Sequence, residues 1–505
     1  MSATTPAESY QIGVSRPPLP VMDLPTPEEV VGQPRITRRV LISSIIGPSL
    51  IALGVSIGSG EWLLGPFNFA TYGFVGIGWI ILVSAVLQVF YNVELARFTV
   101  ATGEVPVVAF GRIPPGFLLW VPLAVLLFFM AFIWGGWAAG AGDSAFALIN
   151  GRVKDAENAA EVTQARLYAV GLLALAFIIT LFGRRISRTL ELANWVMVGF
   201  ILITVTLMAV IVVPLGVWGE AIASLVTPAA PPAGSSATDL GALAGFTALA
   251  SGLNYFIIGH YRDKGYGMGH RVGAIAGLVG GHQRTMLTSG VTFPDDEPNR
   301  RVWNRWFRFI LIDQWGVFFI GAILGILIPS TLVGYLSRAS GVVPTTADMP
   351  TFAAVQLQQS NGDFFFYLAL VIGLLILFST QLVVFESLVR IVTDAGNGTS
   401  GRFQRMTGGD PRRFYYPFMG VLFLVIAFLI FQALPLELIR ISANMSNLAA
   451  LIIPFGLIYL NRRLPRPARI RWWGYVALLA NVLFFGFFFI NFAVDITTGS
   501  PLVTF

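Results

Sequence analysis

The chain has no cysteine among its 505 residues and only three histidines. Without thiols there are no disulfides, no thiolate metal centres and no cysteine nucleophile. Charge is scarce as well: Asp, Glu, Lys and Arg together make up 11% of the residues. Apolar residues fill the gap, at 55% of the chain with a mean hydropathy of +0.75. Runs of about 20 apolar residues, long enough to cross a bilayer, recur along nearly the whole length. The composition is that of a polytopic membrane protein whose first partner is the lipid bilayer. A formal charge of +6 does not point to nucleic acid, because the arginines fall in short loops between apolar runs. Nothing in the composition asks for a cofactor. The first 34 residues are rich in Pro, Thr and Glu and lack the apolar core of a cleavable signal. They read as part of a disordered cytoplasmic tail over residues 1–39.

Residues 40–496 divide into eleven spans, at roughly 40–73, 76–99, 117–149, 166–183, 193–218, 240–261, 307–334, 363–393, 414–434, 437–460 and 472–495. Arginine placement tests the count. Arg35, Arg38 and Arg39 precede span 1, and alternate loops then carry Arg97 and Arg112, Arg184 to Arg188, Arg262 to Arg308, Arg402 to Arg413, and Arg462 to Arg471. The opposite loops hold only Arg152, Lys154, Arg166 and Arg338. Cytoplasmic loops carry the positive excess. The expectation is a multi-pass protein of the plasma (inner) membrane with a cytoplasmic N-terminus and an outside C-terminus.

Span 1 is interrupted by Gly54-Val55-Ser56-Ile57-Gly58-Ser59-Gly60-Glu61-Trp62. A glycine costs roughly 1 kcal/mol in a helix interior, and a carboxylate at the bilayer centre costs about 2.5–3.5 kcal/mol on insertion scales. Irregular backbone persists at membrane depth only where protein covers it or where it lines a cavity. The stretch therefore reads as an unwound break that builds a binding site, with Glu61 as its charge. The plainer alternative is a glycine-rich packing helix with Glu61 snorkelling to the interface, or Glu61 capping a helix end without any ligand. Span 6 is interrupted too, at Ala248-Leu249-Ala250-Ser251-Gly252-Leu253-Asn254-Tyr255, with His260 shortly after. Interruptions in corresponding halves point to an inverted-repeat transporter with its site near the midplane.

The segment from Tyr261 to Arg305 is long for a connection and has all three histidines, His260, His270 and His282, in or beside it. Their spacing matches no familiar metal site, so they read as solvated or structural. Glu94 is expected to pair with Arg97 one turn later, and Glu386 with Arg390. No Ser–His or His–carboxylate set stands at membrane depth, which argues against an enzyme.

These motifs resemble those of the Nramp divalent metal transporters. Gly47-Pro48-Ser49 through Trp62 follows that family's first-helix pattern, which ends Asp-Pro-Gly-Asn-Trp. Glu94 to Glu104 is similar to the end of its second helix. Ala250 to Tyr255 falls where the family has Ala-Thr-Val-Met-Pro-His, with His260 on its second histidine, and Ser442 to Arg463 resembles its tenth helix. The resemblance implies an all-α LeuT-type fold, two inverted five-helix repeats over about 40–218 and 240–460, an eleventh helix at 472–495, and helices 1 and 6 broken. It implies a solute site at Gly58, Ser59, Glu61, Ala250, Ser251, Asn254, Tyr255 and Asn444. Glu61, His260 and Glu386 are the candidates for proton coupling, and Glu61 with Asn254 for holding a metal.

Departures from the family narrow the expectation. Its metal-binding Asp is Gly58 here, its Asn is Glu61 and its Met is Leu253. Losing a thioether and a carboxylate together argues against manganese or iron by the usual coordination. The first expectation is alternating-access transport of a hard divalent cation. The alternative is a small organic solute such as an amino acid, held where the half-helix after Glu61 begins. Glycines at 58, 60 and 252 would leave room, with Trp62 and Tyr255 as aromatic walls.

Overall fold

A computed structural model describes residues 9–13, 18–33, 35, 58–182, 187–249, 252–272, 290–410, 412–503 and 505. The first part of span 1, with its glycine at 54, and the break residues Ala250 and Ser251 lie outside the described residues, as does His282.

The described part of span 1 begins with a wide, π-type turn, Gly60–Leu64, that runs into a regular helix. After a short first helix, α1 (Pro27–Val31), come α2 (Gly65–Tyr72) for span 1 and α3 (Gly78–Thr102) for span 2. Span 3 is two helices, α4 (Phe117–Phe132) and α5 (Gly136–Asn150). Spans 4 and 5 are α6 (Ala159–Phe182) and α7 (Ser187–Val212). A turn of 118° then lays α8 (Leu215–Val226) across the end of the bundle, where the sequence reading let span 5 run on to 218.

Span 6 is α9 (Ala237–Phe246) and α10 (Leu253–Asp263). Span 7 runs from Glu297 to Ser340 as α11 (Glu297–Leu311), a wide turn over Ile312–Phe319 and α12 (Ile320–Ser340). It starts ten residues before the expected boundary, because Asp296 caps it, accepting from Asn299 N at 2.9 Å, with Pro298 in the first turn. A short α13 (Met349–Asn361) precedes α14 (Asp363–Thr399), α15 (Arg412–Ile430), α16 (Pro435–Asn461) and α17 (Trp472–Thr498), which are spans 8 to 11. Among the described residues, eight helices are long and apolar enough to cross a membrane, or nine if the bent pair counts as one span. The protein is a multi-pass membrane protein.

The disorder expected of the tail does not hold for its described residues 9–13 and 18–33. Strand β1 (Ser9–Tyr10) pairs antiparallel with β2 (Leu19–Pro20), and Val21 bridges Thr292. Leu24 N donates to Asn299 Oδ1 at 2.7 Å, Trp306 Nε1 donates to Pro25 O at 2.8 Å, and Glu28 pairs with Arg305. Ile12, Leu19 and Leu24 are buried. Composition suggested disorder because proline and charge were counted without their partners. The proline-rich stretch is already extended, and a distant segment at 290–293 supplies its edge.

Candidate functional site

Glu61 lies in the wide turn of span 1 and is 1% exposed. Its Oε2 accepts from Gly58 N at 2.9 Å, and its Oε1 has no hydrogen-bond partner among the described residues. The carboxylate borders a cavity of about 10 Å³ lined by Val205 and Thr206 of span 5, Gly325 and Pro329 of span 7 and Ile376 of span 8. That is at the lower limit of the room one water needs. Ser59 is buried beside it.

Three glycines explain how tightly the break is held. A Cβ on Gly60 would lie 2.1 Å from Phe246 O, so the break of span 1 rests directly on the end of α9, where span 6 breaks. A Cβ on Gly58 would lie 2.8 Å from Thr380 Oγ1 of span 8. Gly373, also of span 8, receives the Trp62 indole, to whose Nε1 an added Cβ would stand 2.7 Å away. Ala248, just beyond α9, takes a left-handed φ of 69°, which is rare outside glycine and marks a sharp reversal.

Span 8 bridges the breaks. Ser379 and Thr380 each turn their hydroxyl back to Ile376 O, at 3.0 Å. Thr380 supports Gly58, and the next residue, Gln381, accepts from Ala138 N of span 3 at 3.1 Å. Phe246, Phe132 and Trp137 stack side by side, with centroids 5.8–6.2 Å apart. Spans 1, 3, 6 and 8 thus meet around Phe246.

The residues expected from sequence do not all gather there. Gly58, Ser59 and Glu61 do. Asn254, buried on α10, donates to Gln88 Oε1 of span 2 at 2.6 Å, whereas the Glu61 cavity is walled by spans 5, 7 and 8. Glu61 and Asn254 thus face different neighbours. Tyr255 donates its hydroxyl to Ala124 O at 2.8 Å and packs on Phe110 and Phe128, so it serves span 3. Asn444 donates to Thr238 O and Arg440 O, both at 3.0 Å, and ties span 10 to the start of α9. His260 is half-buried late in α10, and Glu386 is exposed, with Arg390 placed against Asp394 at 3.6 Å. The rings stacked at the Phe246 junction are Phe132, Trp137 and Phe246, whereas Trp62 packs on Gly373 and Tyr255 on Phe110 and Phe128. Glu94 and Arg97 form the expected pair, at 2.9 and 3.0 Å, joined by Asn461 of span 10.

Sequence reasoning missed Trp137, Gln381, Thr380 and Phe246. Two signals were available: Gly135-Gly136 inside the apolar run of span 3, and the polar triplet Ser379-Thr380-Gln381 inside span 8.

No family description and no curated protein matches the chain. Solved structures do. The Eremococcus coleocola manganese transporter, in complex with an aromatic bis-isothiourea compound, matches with a TM-score of 0.57 at 15% identity, over 93% of this chain and 90% of that one. MhsT in complex with L-phenylalanine matches with a TM-score of 0.57 at 14% identity, over 88% of this chain and 98% of that one. At such identities the likeness is one of fold, and the fold is the all-α LeuT type that the resemblance to Nramp transporters implied.

Proposed function

We propose that this protein is a secondary transporter that carries a small solute by alternating access where spans 1, 3, 6 and 8 meet, and that Glu61 ties this movement to a cation. The observation that carries the reading is Glu61 itself. It is a carboxylate 1% exposed, in the wide turn that opens the described part of span 1, with one oxygen unpartnered and no ion pair among the described residues. Such a group is expensive at membrane depth and is retained where it functions. It is stable there either protonated or with a cation bound. Exchange between those states, as the site opens first to one side and then to the other, is the coupling step.

Two cations suit this carboxylate. A hard metal ion as cargo fits the resemblance to Nramp transporters, since carboxylate and carbonyl oxygens prefer hard ions. A proton, with a small organic solute as cargo, is favoured by a specific observation. Among the described residues no three His, Cys, Asp or Glu side chains stand close enough to hold a metal, whereas a calcium ion takes six to eight oxygens. Glu61 is the one acid lining the cavity among the described residues, an arrangement that suits a proton.

The experiment is cation-driven uptake into proteoliposomes with the Glu61→Gln variant. Gln keeps the size and removes the charge, and uptake is expected to fall tenfold or more, equivalent to about 1.4 kcal/mol, in a protein that still melts cooperatively. Normal uptake by folded Glu61→Gln sinks the proposal. Titration with Mg²⁺ then separates the cations: saturable binding lost in Glu61→Gln supports metal cargo, and dependence on a pH gradient without Mg²⁺ binding supports the proton.

A further inference from the structure

Span 3 is interrupted in its middle, and the way its loose ends are tied points to a ligand. α4 ends at Phe132, Ile133 and Trp134 turn, Gly135 takes a left-handed φ of 71°, and α5 starts at Gly136. Such an interruption strands carbonyls on one side and N–H groups on the other. Carbonyls near the end of α4 are answered by side chains. Ala131 O accepts from Ser442 Oγ of span 10, and Met130 O accepts from Trp134 Nε1 at 2.5 Å.

The donors are not all answered. Ala139 N reaches Gly135 O at 3.0 Å, and Ala138 N reaches Gln381 Oε1 at 3.1 Å. Among the described residues the N–H groups of Gly136 and Trp137 have no backbone partner and no side-chain cap. Two side-chain donors at the same helix end also lack partners: Trp137 Nε1, on a residue 2% exposed, and Gln381 Nε2, on a residue 1% exposed. Because Ala138 N can only donate, the Gln381 amide must offer it oxygen, which leaves the NH₂ as the free end. The result is a buried helix N-terminus surrounded by donors, beside the stacked rings of Phe132, Trp137 and Phe246. Buried donors without acceptors are rare in proteins, and a helix N-terminus favours negative charge.

We infer that the amino end of α5 is a binding site for the carboxylate group of a small organic solute, with Trp137 Nε1 and Gln381 Nε2 as its side-chain donors and the three rings against its apolar body. The inference rests on the transporter reading above and names the solute class. It also supplies a reason for coupling. Gly60, one residue before Glu61, packs on the Phe246 carbonyl while the Phe246 ring stacks on Trp137. The solute's carboxylate and Glu61 thus lie to either side of Phe246. A bound anion there favours a cation on Glu61 by simple charge compensation, so solute and cation bind together.

The test is calorimetric titration of the purified full-length protein with acetate, benzoate and neutral benzamide. Trp137→Phe removes the indole N–H and keeps an aromatic ring. Gln381→Glu keeps an oxygen for Ala138 N but turns the remaining donor into an acceptor. Saturable benzoate binding is expected, tighter than that of benzamide, and at least tenfold weaker in Gln381→Glu and several-fold weaker in Trp137→Phe, both still melting cooperatively. If either variant fails to fold, Gln381→Met and Trp137→Leu replace them with the same expectation. Absence of saturable carboxylate binding in the folded wild type, or equal binding by wild type and variants, overturns the inference. Glu61→Gln is read separately through cation-driven uptake. Donor variants that weaken benzoate beside a Glu61→Gln protein with normal uptake would therefore sink the coupling proposal and leave this site standing.

Discussion

At position 60 the residue is dictated by an atom that cannot move. Phe246 O would stand 2.1 Å from any added Cβ, and shifting it would shift the break of span 6. Gly60→Ala is expected to destabilise the protein by about 1–3 kcal/mol or more, as overpacking does, seen as a lower melting temperature; an unchanged one would mean that the breaks do not touch. Position 58 is subtler. Gly58→Asp would restore the aspartate of the Nramp motif, yet its Cβ would meet Thr380 Oγ1 at 2.8 Å, and Thr380 is stiff at χ1 and bonded to Ile376 O. The single variant should melt lower and gain no affinity for Mn²⁺. Gly58→Asp with Thr380→Ala should recover the melting temperature and bind Mn²⁺ at least tenfold tighter than the wild type. Equal melting of the single variant and wild type in a thermal scan would rule out the clash. Glu61 was legible in the sequence as an intramembrane acid beside glycines. Which way it faces was not, because a side chain's direction depends on the rotation of its helix, and the wide turn at Gly60–Leu64 alters that rotation.

Elements were legible where hydropathy changes and obscure where it does not. The breaks of spans 1 and 6 carry polar residues, so both showed in the sequence. The break of span 3 sits in Phe132-Ile133-Trp134-Gly135-Gly136-Trp137, apolar throughout, and only the glycine pair marks it. Span boundaries slipped where caps sit outside the apolar run, as Asp296 does at the start of α11. The N-terminal segment was read as disordered because the bridge from Val21 to Thr292 and the contacts to α11 join residues some 270 positions apart, out of reach of local pattern. The Glu28–Arg305 contact gives the segment a pH dependence. The hydrogen bond from Arg305 holds the Glu28 carboxyl below its ordinary value of 4.5. A depressed value means that the contact contributes fully above pH 4.5 and is lost as pH falls through the lower, folded value. A fluorophore on Met22→Cys, exposed on the N-terminal segment, should report a docked signal at pH 6 that weakens as the pH falls below 4.5. Glu28→Gln should report the weakened signal already at pH 6. A wild-type signal flat over that range would show that the remaining contacts hold the segment alone.

For the whole molecule the question is which end is shut. The N-terminal segment packs on the end where span 7 begins. At the opposite end Arg440 Nε meets Asp239 Oδ1 at 2.6 Å, Tyr72 donates to Asp239 Oδ2 at 2.9 Å, and Thr238 donates to Asp495 Oδ2 at 2.7 Å. The Arg440 guanidinium also covers Phe67, 4.8 Å from its ring centre. These contacts lock together α2, α9, α16 and α17, including the halves of spans 1 and 6 that flank the Phe246 junction. The arginine bias leads us to expect this end outside, and under the proposed alternating access the lock is the contact that would release there. The absence of native cysteine allows a clean measurement. A single cysteine at Thr345, which is exposed at this end, should react in intact cells with an impermeant reagent, and one at Arg402, exposed at the other, should not; labelling at Arg402 would reverse the orientation. A cysteine at Ala443, 0% exposed behind the lock, should be nearly silent in the wild type. Removing Arg440 leaves Asp239 with its tyrosine but without its cation, and stranding one member of a largely buried pair is destabilising. Arg440→Ala should therefore raise the Ala443→Cys labelling rate from outside by tenfold or more, equivalent to about 1.4 kcal/mol in the opening equilibrium. If that rate stays at the wild-type level while the Thr345 control labels normally, the cluster is packing and the gate of this end lies elsewhere.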